Sequence, residues 1–231
     1  MIRMVVFDMA GTTIDEDNVV YKTLQKAINE NGFDVSLDQV LEAGAGKEKS
    51  QAIKSILKEY LQQEDNKLSD DIYQHFIVLL NEAYRYLDVK PQPNAVELFK
   101  ILKYKKVLVV LNTGYNSETA YSLLEKLGWV KGKEFDGLIT ASDVNNNRPD
   151  PDMILLAMKR FGIQDASEVV KLGDSIIDIE EGRNAGCALS IGITTGAHSF
   201  QQLQSADPDF IINDLLELVP LVDAESRTRN A

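Results

Sequence analysis

Polar residues of the kinds used in phosphoryl chemistry stand where apolar runs end in this sequence. Asp8 closes Val5-Val6-Phe7, and Asn112-Thr113-Gly114 follow the run at 107–111. Arg148 follows the run at 137–141 across a polar loop, and Asp174 and Asp178 follow the run at 169–173. A carboxylate can accept a phosphoryl group as an aspartyl phosphate. Mg2+ takes oxygen ligands, commonly one or two carboxylates with phosphate and water. Asp8 and Asp174 could supply those carboxylates, with Asp178 holding the surrounding waters. The Thr113 hydroxyl and the Gly114 amide, ahead of a helix, can bind phosphoryl oxygens, and the Arg148 guanidinium can clamp them with two parallel bonds. Each residue also has an ordinary reading: Asp8 and Asp174 as turn formers or helix caps, Thr113-Gly114 as a turn, Arg148 as a solvated loop charge. Their joint placement favours chemistry, because ligands of open parallel sheets bind outside the carboxyl ends of the strands.

The elements that must position these residues are legible as pattern. Six short runs rich in Val, Ile and Leu, at 4–7, 107–111, 137–141, 169–173, 188–193 and 210–213, read as buried strands. Helical patterns at 119–128, 151–162 and 176–186 lie between them and each ends in glycine, the expected residue after a helix. This alternation predicts an α/β fold with a parallel sheet covered on both faces. From residue 17 to residue 90 the chain instead reads as helix alone, with Ser36 as an N-cap, until VKPQPNA breaks the pattern. The expected organisation is a core of residues 1–16 and 91–231 with residues 17–90 inserted as a helical domain after the first strand.

Composition narrows the class of function. The 231 residues are 44% hydrophobic, enough for a sizeable core, and the 36 acidic against 24 basic residues give a net charge of -12. Such a surface disfavours nucleic acid and anionic membrane as partners, so a site for a phosphorylated anion needs its own cation or metal. Cys187 is the single cysteine; with no internal disulfide to form, it suits a reducing, cytoplasmic setting. The start of the chain has no apolar signal-like segment, and no run approaches the roughly 18 apolar residues of a spanning helix. The polar stretch after Asp223 is expected to fray.

Four segments carry a resemblance to a known family. FDMAGTT, LNTG, Arg148 and GDSIIDIEEGRNAG are similar, in that order, to the four motifs of the haloacid dehalogenase superfamily, and the helical insertion resembles its type 1 cap. The resemblance implies a Rossmann-like core and a Mg2+-dependent hydrolase with Asp8 as nucleophile. Asp8, Asp174, Asp178 and the backbone carbonyl of Ala10 would serve the metal, and Thr113, Gly114 and Arg148 the phosphoryl group. The substrate would be a small phosphorylated or phosphonate metabolite, and a homodimer through a cap helix is a further expectation from the family.

Ala10 separates this chain from most phosphatases of that superfamily, which carry a second Asp there as general acid. Losing a positioned acid typically costs ~10²–10⁴-fold in rate. The protein could be a non-catalytic phosphometabolite-binding protein, could use another acid, or could act on a leaving group that needs no proton on oxygen. DMAGTT, NTGY (112–115) and an arginine at 148 resemble the phosphonoacetaldehyde hydrolase branch. There a cap lysine forms a Schiff base with the substrate aldehyde, and the leaving atom is carbon. The spacing Gly44-x-x-Lys47 assigns that lysine to Lys47, at a predicted helix start. Ala43 and Ser50 depart from the Met and His that the branch places around its lysine, so Lys47 could instead bind a substrate anion. The rival is then a phosphate monoesterase acting on a small acid such as phosphoglycolate. His198, in a polar loop, reads as a surface histidine near the site end, with a role as proton carrier the less favoured alternative.

Overall fold

The computed structural model describes residues 1–228. The chain begins with β1 (Met4–Asp8) and the two-residue strand β2 (Ile14–Asp15). It continues through α1 (Val19–Glu30), α2 (Leu37–Gly44), α3 (Lys49–Leu61) and α4 (Asn66–Tyr86), and returns at β3 (Lys90–Pro91). The remainder alternates: α5 (Ala95–Tyr104), β4 (Leu108–Thr113), α6 (Ser117–Leu127), β5 (Gly137–Thr140) and α7 (Asp152–Phe161). It ends with β6 (Val169–Gly173), α8 (Ile176–Ala185), β7 (Leu189–Ile193), α9 (Phe200–Ser205), β8 (Phe210–Ile212) and α10 (Leu218–Thr228).

Six strands form one sheet in the order β5-β4-β1-β6-β7-β8, and every neighbouring pair is parallel. β1 is central, and all five of its residues are buried. Side chains alternate across a strand, so Val5 and Phe7 enter the core cluster that holds Leu98, Phe99 and Leu123, while Met4 and Val6 face Met153, Ile154 and Ala157 of α7. That two-sided burial is why the strands read as unbroken apolar runs. In register, Asp8 lies beside Asn112, and Thr113 beside Thr140. The polar residues that close the runs therefore emerge along one edge of the sheet.

The helices between β2 and β3 are amphipathic and pack on one another through Leu24 and Ile28 of α1, Ile53 and Ile56 of α3, and Ile72 and Phe76 of α4. Ser36 caps α2 in a reciprocal arrangement with Gln39. The antiparallel pairing Ile14↔Pro91 and Asp15↔Lys90 holds the two connections to this insertion side by side.

Two local expectations need correction, and one helix was not expected. Lys47 does not open a helix: α3 begins at Lys49, because the Glu48 carboxylate caps it by accepting from the amides of Ser50 at 3.0 Å and Gln51 at 3.1 Å. Of the stretch expected to fray, 224–228 is helical, and residues 229–231 lie outside the described residues. α10 continues to Thr228, anchored where Ser226 accepts from the Ile2 amide at 3.1 Å and Asp223 pairs with Lys105 at 2.8 Å. α5 was not legible in the pattern, since its N-cap, Asn94, sits at φ 65 without a side-chain cap; its amide reaches Asp214 at 2.6 Å instead. Among the described residues, no helix is long and apolar enough to cross a membrane.

Candidate active site

Asp8, Asp174 and Asp178 converge at the sheet edge, each buried, with one oxygen of each within 4.8 Å of the others. β1 delivers Asp8, the turn after β6 delivers Asp174, and the first turn of α8 delivers Asp178. Asp174 accepts from the Thr12 hydroxyl at 3.0 Å and the Ala197 amide at 2.6 Å. Asp178 accepts from the Ser175 hydroxyl at 2.5 Å.

Beneath them lies a buried charge network. Arg148 reaches Asp8 at 2.6 Å and Asp178 at 2.9 Å through Nη1, and Glu181 at 3.0 Å through Nε. Its Nη2 meets the carbonyl and the side-chain oxygen of Asn112 at 3.0 and 2.6 Å. A guanidinium has five N–H donors, and here four are hydrogen-bonded within the protein, while Asp178 is held as an ion pair. The free bidentate clamp on phosphoryl oxygens expected for Arg148 is therefore not what the geometry offers. Its donors are spent on orienting Asp8 and bracing the sheet edge. Lys171, inside β6, contacts Asn112 Oδ1 at 2.7 Å, Asp178 at 2.8 Å and Glu181 at 3.3 Å, with its side chain fully buried.

Burial pushes the Asp174 carboxyl up to about 7, reinforced by the neighbouring charges of Asp8 and Asp178. Asp8 is likewise raised by burial, against the opposing pull of Arg148. For Asp178 burial also acts upward, but Arg148 and Lys171 outweigh it and hold the carboxyl below its ordinary value. The carboxylates of Asp8, Asp174 and Asp178 outnumber the two cations that brace them from below, Arg148 and Lys171. An oxygen-only donor set with that surplus fits a hard divalent cation such as Mg2+.

The inserted helices close over this edge. A small, partly open space of ≈ 10 Å³, about the room of one water, is lined by Asp8, Ala10, Tyr21, Gly46, Lys49, Thr113, Gly114, Tyr115 and Arg148. Lys49 is buried, and its amine lies 5.2 Å from the ring centres of both Tyr21 and Tyr115. Burial lowers this amine to about 8, although Asp8 and Glu48 pull the other way. Lys47 is placed differently: its half-buried amine donates to Ser55 Oγ of α3 at 3.0 Å, and it contributes its carbonyl to Lys49 Nζ at 2.7 Å. Thr113 Oγ1 accepts from the Tyr115 amide at 3.1 Å, which leaves its proton free to donate. A wider cleft of ≈ 250 Å³ lies on the insertion by Lys54, Lys58 and Ser69, away from the acidic cluster.

His198 is not a surface histidine. It is buried, Nδ1 accepts from the Ile176 amide at 3.0 Å, and Nε2 lies 3.2 Å from the Leu41 carbonyl. With Nδ1 accepting, the proton is on Nε2, so a neutral ring ties α8 to α2. Sequence reading gave no role to Lys171, Glu181 or Lys49, and named Asn112 and Tyr115 only within the segment NTGY. A lysine inside the apolar run VVKLG was the visible signal for the first, since lysine is almost never fully buried unless paired.

Residues 2–186 match the haloacid dehalogenase-like hydrolase family. The chain is 27% identical over 262 residues to phosphonoacetaldehyde hydrolase of Latilactobacillus sakei, covering 98% of this chain and 97% of that protein. It is 27% identical over 231 residues to phosphoglycolate phosphatase of Vibrio parahaemolyticus, covering 96% of each. A crystal structure of a phosphonoacetaldehyde hydrolase-like protein from Oleispira antarctica superposes with a TM-score of 0.83 at 21% identity, covering 98% of this chain and 93% of that one; at that identity the likeness is one of fold.

Proposed function

The chain belongs to the haloacid dehalogenase-like hydrolases, and from that premise we propose that it passes a phosphoryl group from a small phosphonate aldehyde to Asp8 and then to water. Asp8, aimed by Arg148, attacks phosphorus. The Thr113 hydroxyl and the Gly114 amide receive the phosphoryl oxygens. Mg2+ would be held by Asp8, Asp174, Asp178 and the Ala10 carbonyl. When bound, it would offset the repulsion between the Asp8 carboxylate and the phosphoryl oxygens.

The observation that carries this reading is the pairing of Ala10 with Lys49. Two residues after the nucleophile there is no acid, and a buried amine lines the same small space. Lys49, rather than Lys47, takes the role of the amine that adds to the aldehyde. Its neutral form attacks the carbonyl carbon, water leaves, and a C=N bond forms. The iminium then accepts the electron pair of the C–P bond as the phosphoryl group moves to Asp8, so no proton on oxygen is needed at that step. Tyr21 and Tyr115 flank the amine and restrict the substrate to a short chain.

The second reading, hydrolysis of a phosphate ester of a small acid, is supported by the same amine in its charged form, which could pair with a substrate carboxylate. Borohydride added with phosphonoacetaldehyde distinguishes the two. The first reading expects a covalent adduct that peptide mapping places on Lys49, with loss of phosphate release. Turnover of phosphate esters together with no adduct would replace it with the second.

A further inference from the structure

Glu16 is a buried acid that the steps above leave without a task. It lies on the connection from β2 to α1 and is 3% exposed. Its Oε2 accepts from the Tyr84 hydroxyl at 2.9 Å and from the Val20 amide at 3.3 Å. The Tyr84 hydroxyl is 3.3 Å from that of Tyr115, and Tyr115 is a wall of that small space and carries the Lys49 amine over its ring. A line of hydroxyls thus runs from the Glu16 carboxyl to Tyr115, the residue whose ring lies under the Lys49 amine. Its three members come from different parts of the fold: the connection into the insertion, the last inserted helix, and the loop after β4. The line is complete when insertion and core are together.

We propose that Glu16 is the proton partner of Lys49, exchanging one proton with the closed site through the hydroxyls of Tyr84 and Tyr115. The proposal rests on Lys49 as the imine-forming amine. Formation of the C=N bond breaks the C–O bond of the carbinolamine, and the departing oxygen needs one proton to leave as water. Glu16 gives its proton to Tyr84, Tyr84 gives its own to Tyr115, and Tyr115 gives its own to that oxygen. C–P cleavage leaves an enamine, whose terminal carbon takes the proton that water releases in hydrolysing the aspartyl phosphate. Hydrolysis of the resulting iminium then frees the amine and releases one proton, which returns along the same line and leaves Glu16 protonated again. No proton is gained or lost over the cycle, and no redox partner is required. This supplies locally what Ala10 cannot.

The surroundings of Glu16 agree with that task. Burial pushes its carboxyl up to about 8, opposed by the Tyr84 and Val20 hydrogen bonds and by the charge of Lys49, and assisted by that of Asp174. Near neutral pH it therefore holds a proton, and in that form the 2.9 Å contact runs from the carboxyl O–H to the Tyr84 oxygen, which turns the Tyr84 hydroxyl toward Tyr115. Tyr21, Tyr84 and Tyr115 are all buried and raised well above the ordinary phenol range by that burial, so they pass a proton rather than ionise.

The test measures borohydride trapping with phosphonoacetaldehyde against pH. In the wild type, the rate needs a neutral Lys49 and a protonated Glu16, so it rises and then falls around pH 8. Glu16→Gln keeps the size and the acceptor for Tyr84 but cannot titrate. It is expected to trap ~10²–10⁴-fold more slowly at pH 7, the ordinary range of a general acid, and to lose the falling limb. Tyr84→Phe, which cuts the line and leaves the carboxyl, should slow trapping similarly. Formate added to Glu16→Gln should restore part of the rate. Trapping by the wild type together with an unchanged rate and pH profile in Glu16→Gln overturns the relay and leaves the role of Lys49 standing. Absence of an adduct in the wild type overturns both. Slow trapping in Glu16→Gln with the falling limb retained makes Glu16 a packing residue and overturns the relay.

Discussion

Gly114→Ala isolates the contact between insertion and core. A Cβ built at Gly114 would lie 2.9 Å from the carbonyl oxygens of Gly46 and Lys47, both on the loop that carries the insertion onto the site. Non-bonded atoms settle at about 3.5 Å or more, so that loop must retreat by roughly 0.5 Å. Its atoms there are backbone and cannot swing aside as a side chain would. Overpacking of this kind costs about 1–3 kcal/mol, and 1.4 kcal/mol is tenfold, so closure should weaken by about 5–150-fold. The Gly114 backbone is in a region open to alanine. The substitution therefore adds no backbone strain, and it stabilises the chain by about 0.4–1 kcal/mol through the unfolded state. The expected result is a drop in kcat/KM within that range and faster hydrogen exchange at residues 45–49, with a melting temperature equal to or above that of the wild type. Gly46→Ala is a poorer probe: φ there is +73, so its strain would persist in open and closed forms alike. Wild-type kcat/KM and unchanged exchange in Gly114→Ala would refute the argument that closure over Gly114 is needed for turnover.

Other outcomes follow from the charge network. Asp8→Asn should keep the fold and abolish phosphate release in a continuous phosphate assay, because an amide cannot accept the phosphoryl group. Lys171→Met should lower stability by about 3–5 kcal/mol in urea titrations, since it leaves Asp178 and Glu181 with one buried cation fewer; a loss below 1 kcal/mol would show that the pair is not strongly coupled. Ala10→Asp should give no gain on a phosphonate aldehyde, whose leaving atom is carbon, whereas a large rise in ester hydrolysis, measured on a panel of phosphate monoesters, would favour the monoesterase reading.

Much of the architecture was written in local pattern. Unbroken apolar runs such as MVVF and VLVVL state burial on both faces, because alternate side chains point to opposite sides of a strand. Gly128, Gly162 and Gly186 mark helix ends through the left-handed turn that glycine tolerates. Asp8, Thr113, Asp174 and Asp178 were likewise visible as polar residues closing those runs, and parallel pairing carries such ends to one edge. What tertiary structure alone decided was direction. Lys47 and Lys49 are two residues apart and chemically alike. Which amine enters the site depends on Glu48 capping α3 and on where that cap turns the chain against Tyr21 and Tyr115. Arg148 reads as a free cation in sequence, but hydrogen bonds to Asp8, Asn112 and Glu181 take four of its donors and Asp178 pairs with its charge. His198 reads as a loop residue, yet it is buried between the start of α8 and the end of α2. Glu16, Tyr84 and Tyr115 are separated by 68 and 31 positions, and no local rule joins them. Hydrogen-bond partners drawn from distant segments exist only once the sheet is assembled and the insertion lies on its edge, which is why the element list is a property of the sequence and the wiring of the site a property of the fold.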